Sequence, residues 1–268
     1  MNQAEAQPIL QMRGVSKRFG AVQALCDVDF EIYQGEVVAL VGDNGAGKST
    51  LVKIIAGVDR MDTGQCVFDG REVTVNTPRD ATDLGIETVY QDLALCDNLD
   101  VVANLHLGRE KLQQVVPGVG TLDEVGMEQR TRSLLRDLHI NIPSVRSQIA
   151  TMSGGQRQSV AVTRAVMWDA KVVLLDEPTA ALGVEQTRQV KDLIRRLRER
   201  GLGVLIISHN LADVFDVADR IIVLRLGRRV ATFNVHTASA EQVVGAITGA
   251  EFGAAEAETA SAIQQPAS

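Results

Sequence analysis

The stretch Gly42-Asp43-Asn44-Gly45-Ala46-Gly47-Lys48-Ser49-Thr50 decides the fold of this 268-residue chain. It matches the spacing G-x-x-x-x-G-K-[ST], and the chemistry of a phosphate explains that spacing. Glycines let backbone N–H groups turn inward where side chains would block the approach. Lys48 can reach the outer phosphates of a nucleotide, and the Ser49 hydroxyl can ligate Mg²⁺. Context supports the match. The run Val37 to Val41 before it reads as a buried strand. Ser49 to Ala56 after it reads as a helix stopped by Gly57.

Further runs extend this strand–loop–helix unit. Val172 to Leu175, Val204 to Ile207 and Ile221 to Leu224 read as apolar strands. Val190, Leu193, Ile194 and Leu197 mark one face of a helix that ends at Gly201. Alternation of strands with helices predicts an α/β fold with a mostly parallel core sheet. Ile9 to Tyr33 alternates between apolar stretches and polar turns, which predicts an antiparallel region. Residues 64 to 90 read as strand-like, and about 100 to 168 as mainly helical with a Pro/Gly interruption at 117–120. Residues 252 to 268, rich in alanine, read as a disordered tail.

Composition bounds the function. Apolar residues make up 45% and charged residues 23%, as in a soluble globular domain. The formal net charge is -7, and aromatics are only 3%, which argues against a nucleic-acid partner. The charge is uneven, because no Lys or Arg follows Arg229 while Glu241, Glu251, Glu256 and Glu258 do. Cys26, Cys66 and Cys96 are odd in number and isolated, which suits reduced thiols. No signal peptide is indicated at the start, and no apolar run approaches the roughly 20 residues of a membrane span.

Two further segments carry chemistry. Val172-Val173-Leu174-Leu175-Asp176-Glu177 delivers two carboxylates at a strand end. Asp176 suits a Mg²⁺ site and Glu177 suits polarising an attacking water. Alone, this segment reads first as an ordinary acid-capped strand end, and its pairing with the phosphate loop reverses that reading. Ser153-Gly154-Gly155-Gln156 opens a helix 23 residues before Asp176, a second N-terminus able to face an anion.

Together these motifs resemble the ATP-binding cassette family over residues 9 to 250. The resemblance implies the P-loop NTPase fold of that family: one cassette with a helical subdomain at about 92–165, followed by the tail at 251–268. It implies ATP held by Gly42, Asp43, Asn44, Gly45, Ala46, Gly47, Lys48, Ser49 and Thr50, with Phe19 stacked on adenine. A half-buried core aromatic is the other reading of Phe19. The family signature maps to Ser153, Gly154, Gly155 and Gln156, with Met152 where leucine is usual. It implies catalytic roles for Lys48, Gln91, Glu177 and His209, and Mg²⁺ near Ser49, Gln91 and Asp176. One position departs: Gly183 stands where the family usually has an aspartate.

The resemblance also implies partners. A second ATPase subunit would complete each site from across a head-to-tail dimer. Transmembrane permease subunits would dock, placing the chain on the cytoplasmic side of the inner membrane. Gly85 to Gln91, Leu107 to Glu110 and Glu177 to Leu182 look like the ATPases of monosaccharide importers, served indirectly by an extracytoplasmic sugar-binding protein. The 59 residues after His209 are too few for a further regulatory domain. A soluble cassette protein acting on nucleic acid or ribosomes is the alternative, although no long coiled-coil insertion supports it.

Overall fold

A computed structural model describes residues 7–116 and 119–250. Its centre is β3 (Val37–Val41), in which all five residues are buried. Successive side chains of a strand point to opposite faces. Val38 and Leu40 accordingly enter one core, while Val37, Ala39 and Val41 enter another. A strand buried on both faces reads as a continuous apolar run, which is why no alternation is visible there.

Two further strands repeat this division. They are β9 (Val172–Asp176) and β10 (Gly203–Ile207). With β6 (Ile86–Val89), β11 (Arg220–Arg225) and β12 (Arg228–Asn234) they form a six-stranded sheet in the order β12-β11-β3-β10-β9-β6. Every pairing from β11 to β6 is parallel, and only the edge strand β12 is antiparallel.

The expected N-terminal antiparallel region is a second sheet. It contains β1 (Leu10–Phe19), β2 (Val22–Ile32), β4 (Thr63–Phe68) and β5 (Arg71–Val73), in the order β2-β1-β4-β5. Its apolar residues share the first core with Val38, Leu40 and the helix α1 (Lys48–Ile55). The second core packs the opposite face under α5 (Gly154–Val166), α6 (Val184–Glu199), α7 (Leu211–Val217) and α8 (Ala240–Thr248).

Two segments differ from the sequence expectation. Between β5 and β6 lies the helix α2 (Pro78–Leu84). Its start is a capping box, with the Thr77 side chain accepting from Asp80 N and Pro78 in the first turn. That signal is local and is masked by the apolar runs on either side. Within 100–168, α3 (Val101–His106) and α4 (Glu124–Asp137) are separated by a hairpin of β7 (Leu112–Val116) and β8 (Val119–Leu122). Leu112 and Leu122 face each other in register and are exposed, so the hairpin contributes no buried periodic face to read. A third, smaller core joins α3, α4 and α5 through Leu105, Leu135 and Val160.

All three cysteines are free, and burial pushes the Cys66 thiol up to about 11, which keeps it protonated and inert. No described helix is long and apolar enough to cross a membrane. The proposed tail at 251–268 lies outside the described residues.

Candidate functional site

The phosphate loop joins the carboxyl end of β3 to α1. Gly47 caps that helix at φ 103°, with no side chain bonded to the first-turn N–H groups. Those groups remain free to receive an anion. Two glycines are demanded by space. A Cβ on Gly42, at φ +149°, would lie 2.1 Å from the Leu224 carbonyl oxygen, and one on Gly47 would lie 2.7 Å from that of Ala24. The loop therefore presses against β11 and β2. Asn44 to Thr50 line a cavity of about 300 Å³ whose other wall is Val22, Gln23 and Ala24 of β2. That wall comes from another sheet, and no local signal identifies it.

Lys48 folds back over its own loop. Its ammonium donates to the carbonyls of Gly42 (2.6 Å) and Asp43 (2.9 Å). Burial lowers its pKa, and the charges of Glu177, Asp43 and Asp176 oppose that shift. A cation held half-buried beside carboxylates is suited to follow an incoming phosphate.

The adjacent parallel strands bring their ends to the same edge. Ile207 pairs with Leu40 and with Asp176 in register, so β3, β10 and β9 finish together. Asp176 is the last residue of β9. Burial raises its pKa first, the neighbouring Glu177 carboxylate raises it further, and Lys48 pulls it down. Two carboxylates against one lysine leave uncompensated negative charge, which fits a hard cation. The hydroxyl, carboxamide and carboxylate oxygens of Ser49, Gln91 and Asp176 are donors that Mg²⁺ accepts.

Glu177 has φ 49°, a left-handed conformation costing about 1–3 kcal/mol for a residue with a Cβ. Its N–H donates to the Ile207 carbonyl at 3.0 Å, which fixes the turn to β10. His209 follows β10, and its Nδ1 lies 2.9 Å from Glu177 Oε1. The histidine is 78% exposed while the glutamate is 18% exposed, so the pair spans from the strand end to solvent.

Gln91 is exposed in the turn after β6, whose Val89 pairs with Leu175 of β9. Phe19 ends β1 opposite Val22, is 47% exposed, and has the Lys17 ammonium 5.3 Å from its ring centroid. It is not a core aromatic.

Ser153 to Gln156 stand apart. Ser153 Oγ accepts from Gln156 N, and Gln156 Oε1 accepts from Ser153 N, a reciprocal cap at the start of α5. Ser153 and Gln156 line a 610 Å³ cavity with Gln186 and Gln189 of α6. That cavity shares no residue with the phosphate-loop cavity. Gly155 also has a packing role, because its Cβ position lies 3.0 Å from Gln186 Cβ. Lys48 therefore feels the charges of Asp176 and Glu177, Glu177 contacts His209, and the Ser153 helix lines a different cavity.

The family model for ABC transporters matches residues 25–180, which include the phosphate loop, the Ser153 helix and Glu177. The chain belongs to the ABC transporter family. It is 47% identical to a xylose/arabinose import ATP-binding protein of Sulfolobus acidocaldarius, covering 91% of this chain and 96% of that protein. It is 45% identical to a fructose import ATP-binding protein of Rhizobium meliloti, covering 91% and 95%. A ribose import ATP-binding protein of Burkholderia pseudomallei is 39% identical, and the match spans 47% of that longer protein. A nucleotide-free ATP-binding cassette from an ABC transporter superposes with a TM-score of 0.73 at 25% identity, covering 90% of this chain and 96% of that one. As a member of the ABC transporter family, the protein binds and hydrolyses ATP.

Proposed function

We propose that this ABC protein is the ATP-hydrolysing subunit of a monosaccharide importer. The observation that carries the reading is the meeting of Lys48, Asp176, Glu177 and His209 where β3, β9 and β10 end. The xylose/arabinose, fructose and ribose relatives supply the substrate class. They give no support to work on nucleic acid or ribosomes. The cassette occupies residues 9–250, with a helical subdomain at about 92–165.

ATP enters the phosphate loop, where backbone N–H groups from Gly45 to Ser49 surround the phosphates and Gly42, Asp43, Asn44, Ala46 and Thr50 shape the turn. Lys48 moves from the Gly42 and Asp43 carbonyls to the outer phosphates. Phe19 stacks on adenine. Mg²⁺, held by Ser49, Gln91 and Asp176, neutralises phosphate charge when bound. Glu177 takes a proton from water as the water oxygen bonds to the γ-phosphorus and the bond to the β-phosphate oxygen breaks. His209 holds the γ-phosphate and the water in line. Ser153, Gly154, Gly155 and Gln156 face the nucleotide of a second subunit, a reading supported by Ser153 and Gln156 lining a cavity that shares no residue with that of the phosphate loop.

Permease subunits dock near Gln91 on the cytoplasmic face of the inner membrane, and an extracytoplasmic binding protein delivers the sugar. The test is ATPase activity of the chain reconstituted with its permease. A monosaccharide presented with its binding protein should stimulate hydrolysis, and Lys48→Ala should abolish both hydrolysis and uptake. Uptake that persists in Lys48→Ala rejects the reading.

A further inference from the structure

Asp213 lies in the first turn of α7 and is almost wholly buried, at 9% exposure. An acid there reads from sequence as an ordinary helix-start residue. Its surroundings are not ordinary. Oδ2 accepts from the Thr179 hydroxyl at 2.9 Å and from the Asn210 carboxamide at 3.0 Å. Oδ1 lies 3.3 Å from the Lys191 ammonium of α6, which also pairs with Asp216 at 2.7 Å.

The two partners on Oδ2 come from the two turns that matter. Thr179 is two residues after Glu177, in the turn that leaves β9. Asn210 directly follows His209, in the turn that leaves β10. Asn210 is itself fixed, since its Oδ1 accepts from Ala212 N at 3.0 Å and its N–H donates to Ser208 Oγ at 3.1 Å. A single carboxylate oxygen therefore ties both turns together behind the Glu177–His209 contact. Glu177 needs such support, because its left-handed backbone is held only by what surrounds it.

We propose that Asp213 is a positioning residue for ATP hydrolysis, clamping the turn that carries Glu177 to the turn that carries His209 through Thr179 and Asn210. This inference rests on the assignment of Glu177 as the group that takes the proton. The clamp touches neither nucleotide nor water, and it acts by holding the base and the histidine at their observed separation. Lys191 extends the clamp to α6, the helix that begins just after the Thr179 turn.

The test is single-turnover and steady-state ATP hydrolysis by the full chain, with Thr179→Val, Thr179→Ser, Glu177→Gln and the double variant Glu177→Gln/Thr179→Val. Thr179→Val removes only the hydroxyl and should lower kcat about ten- to a hundredfold, with KM for ATP unchanged. Thr179→Ser restores the donor and should restore kcat. In the Glu177→Gln background, Thr179→Val should cost nothing further, because the two act through one group. Asn210→Gly removes the donor to Asp213 at little cost to the start of α7, because glycine is a tolerated N-cap, and should reproduce the kcat loss if the valine variant does not fold. A normal kcat in both variants, or a loss that adds fully to that of Glu177→Gln, overturns the clamp while leaving Glu177 as base. Wild-type turnover in Glu177→Gln instead overturns the base assignment, and the clamp with it.

Discussion

His209 Nδ1 stands 2.9 Å from Glu177 Oε1, although each residue leaves a different strand of the core sheet. The register of β9 against β10 sets this meeting, because Ile207 pairs with Asp176 and both chains turn immediately afterwards. The Glu177 carboxylate of this pair also acts on the Lys48 ammonium through charge. Glu177→Gln should reduce ATP hydrolysis about 10²–10⁴-fold, the usual worth of a general base, while ATP still binds. His209→Ala should reduce hydrolysis as well, and the two losses should not add. Single-turnover kinetics with equilibrium nucleotide binding separates these effects.

Asp176 predicts a pH dependence. Its folded pKa is raised above the ordinary 3.8, so its charged form is disfavoured in the nucleotide-free protein. Between the unfolded and the folded value the native state binds more protons, so this residue's contribution to stability falls as pH rises through that window. At neutral pH, Asp176→Asn should therefore raise the melting temperature without nucleotide. It should also remove the extra stabilisation that Mg²⁺ gives beyond ATP alone. Thermal melts with ATP, with and without Mg²⁺, report both outcomes.

Gly47 tests the close approach of the phosphate loop to β2. An alanine there would set its Cβ 2.7 Å from the Ala24 carbonyl and 2.8 Å from Leu25 Cδ2, at φ +103°. Gly47→Ala should cost at least about 1–3 kcal/mol of stability. Nucleotide binding should fall with it, because the loop must move away from the β2 wall of its cavity. Denaturant melts and nucleotide titration measure the two losses.

Phe19 is half-exposed at the end of β1 and belongs to none of the three cores, so Phe19→Ala should cost far less stability than removal of a core aromatic. If it stacks on adenine, ATP affinity should fall about two- to tenfold, the worth of one aromatic pair. Phe19→Trp should retain or improve it. Competition binding with ATP and with triphosphate lacking a base distinguishes stacking from a general effect on the loop.

Gly183 begins α6 with φ −72° and nothing near its Cβ position. No steric reason excludes an acid there. Gly183→Asp should fold normally and gain a few tenths of a kcal/mol from capping, about 1 °C in melting temperature. A change in the cooperativity of ATP hydrolysis beside that small shift would show that the missing carboxylate matters to the coupling of two sites.

Much of the molecule is written locally. The Gly42 to Thr50 spacing, the apolar run of β3 and the Ser153 cap are each decided within a few residues. Strand, turn and helix start depend there on side-chain size and on unsatisfied N–H groups. The same holds for β9 and for the face of α6 marked by Val190, Leu193, Ile194 and Leu197, all buried. The hairpin at Leu112 to Leu122 was not legible, since exposed residues leave no periodic trace of a buried face.

Which separated residues share a site is set by the packing of the whole chain. Strand order and register brought Glu177 to His209, put Val22 to Ala24 opposite the phosphate loop, and placed Thr179 on the Asp213 oxygen. These contacts join segments that are far apart in the chain, and their energies depend on distance in space rather than on neighbours in sequence. A sequence therefore names the phosphate loop, the acids and the histidine. The packing of β2, β9, β10 and α7 sets how far apart they stand and what holds them there.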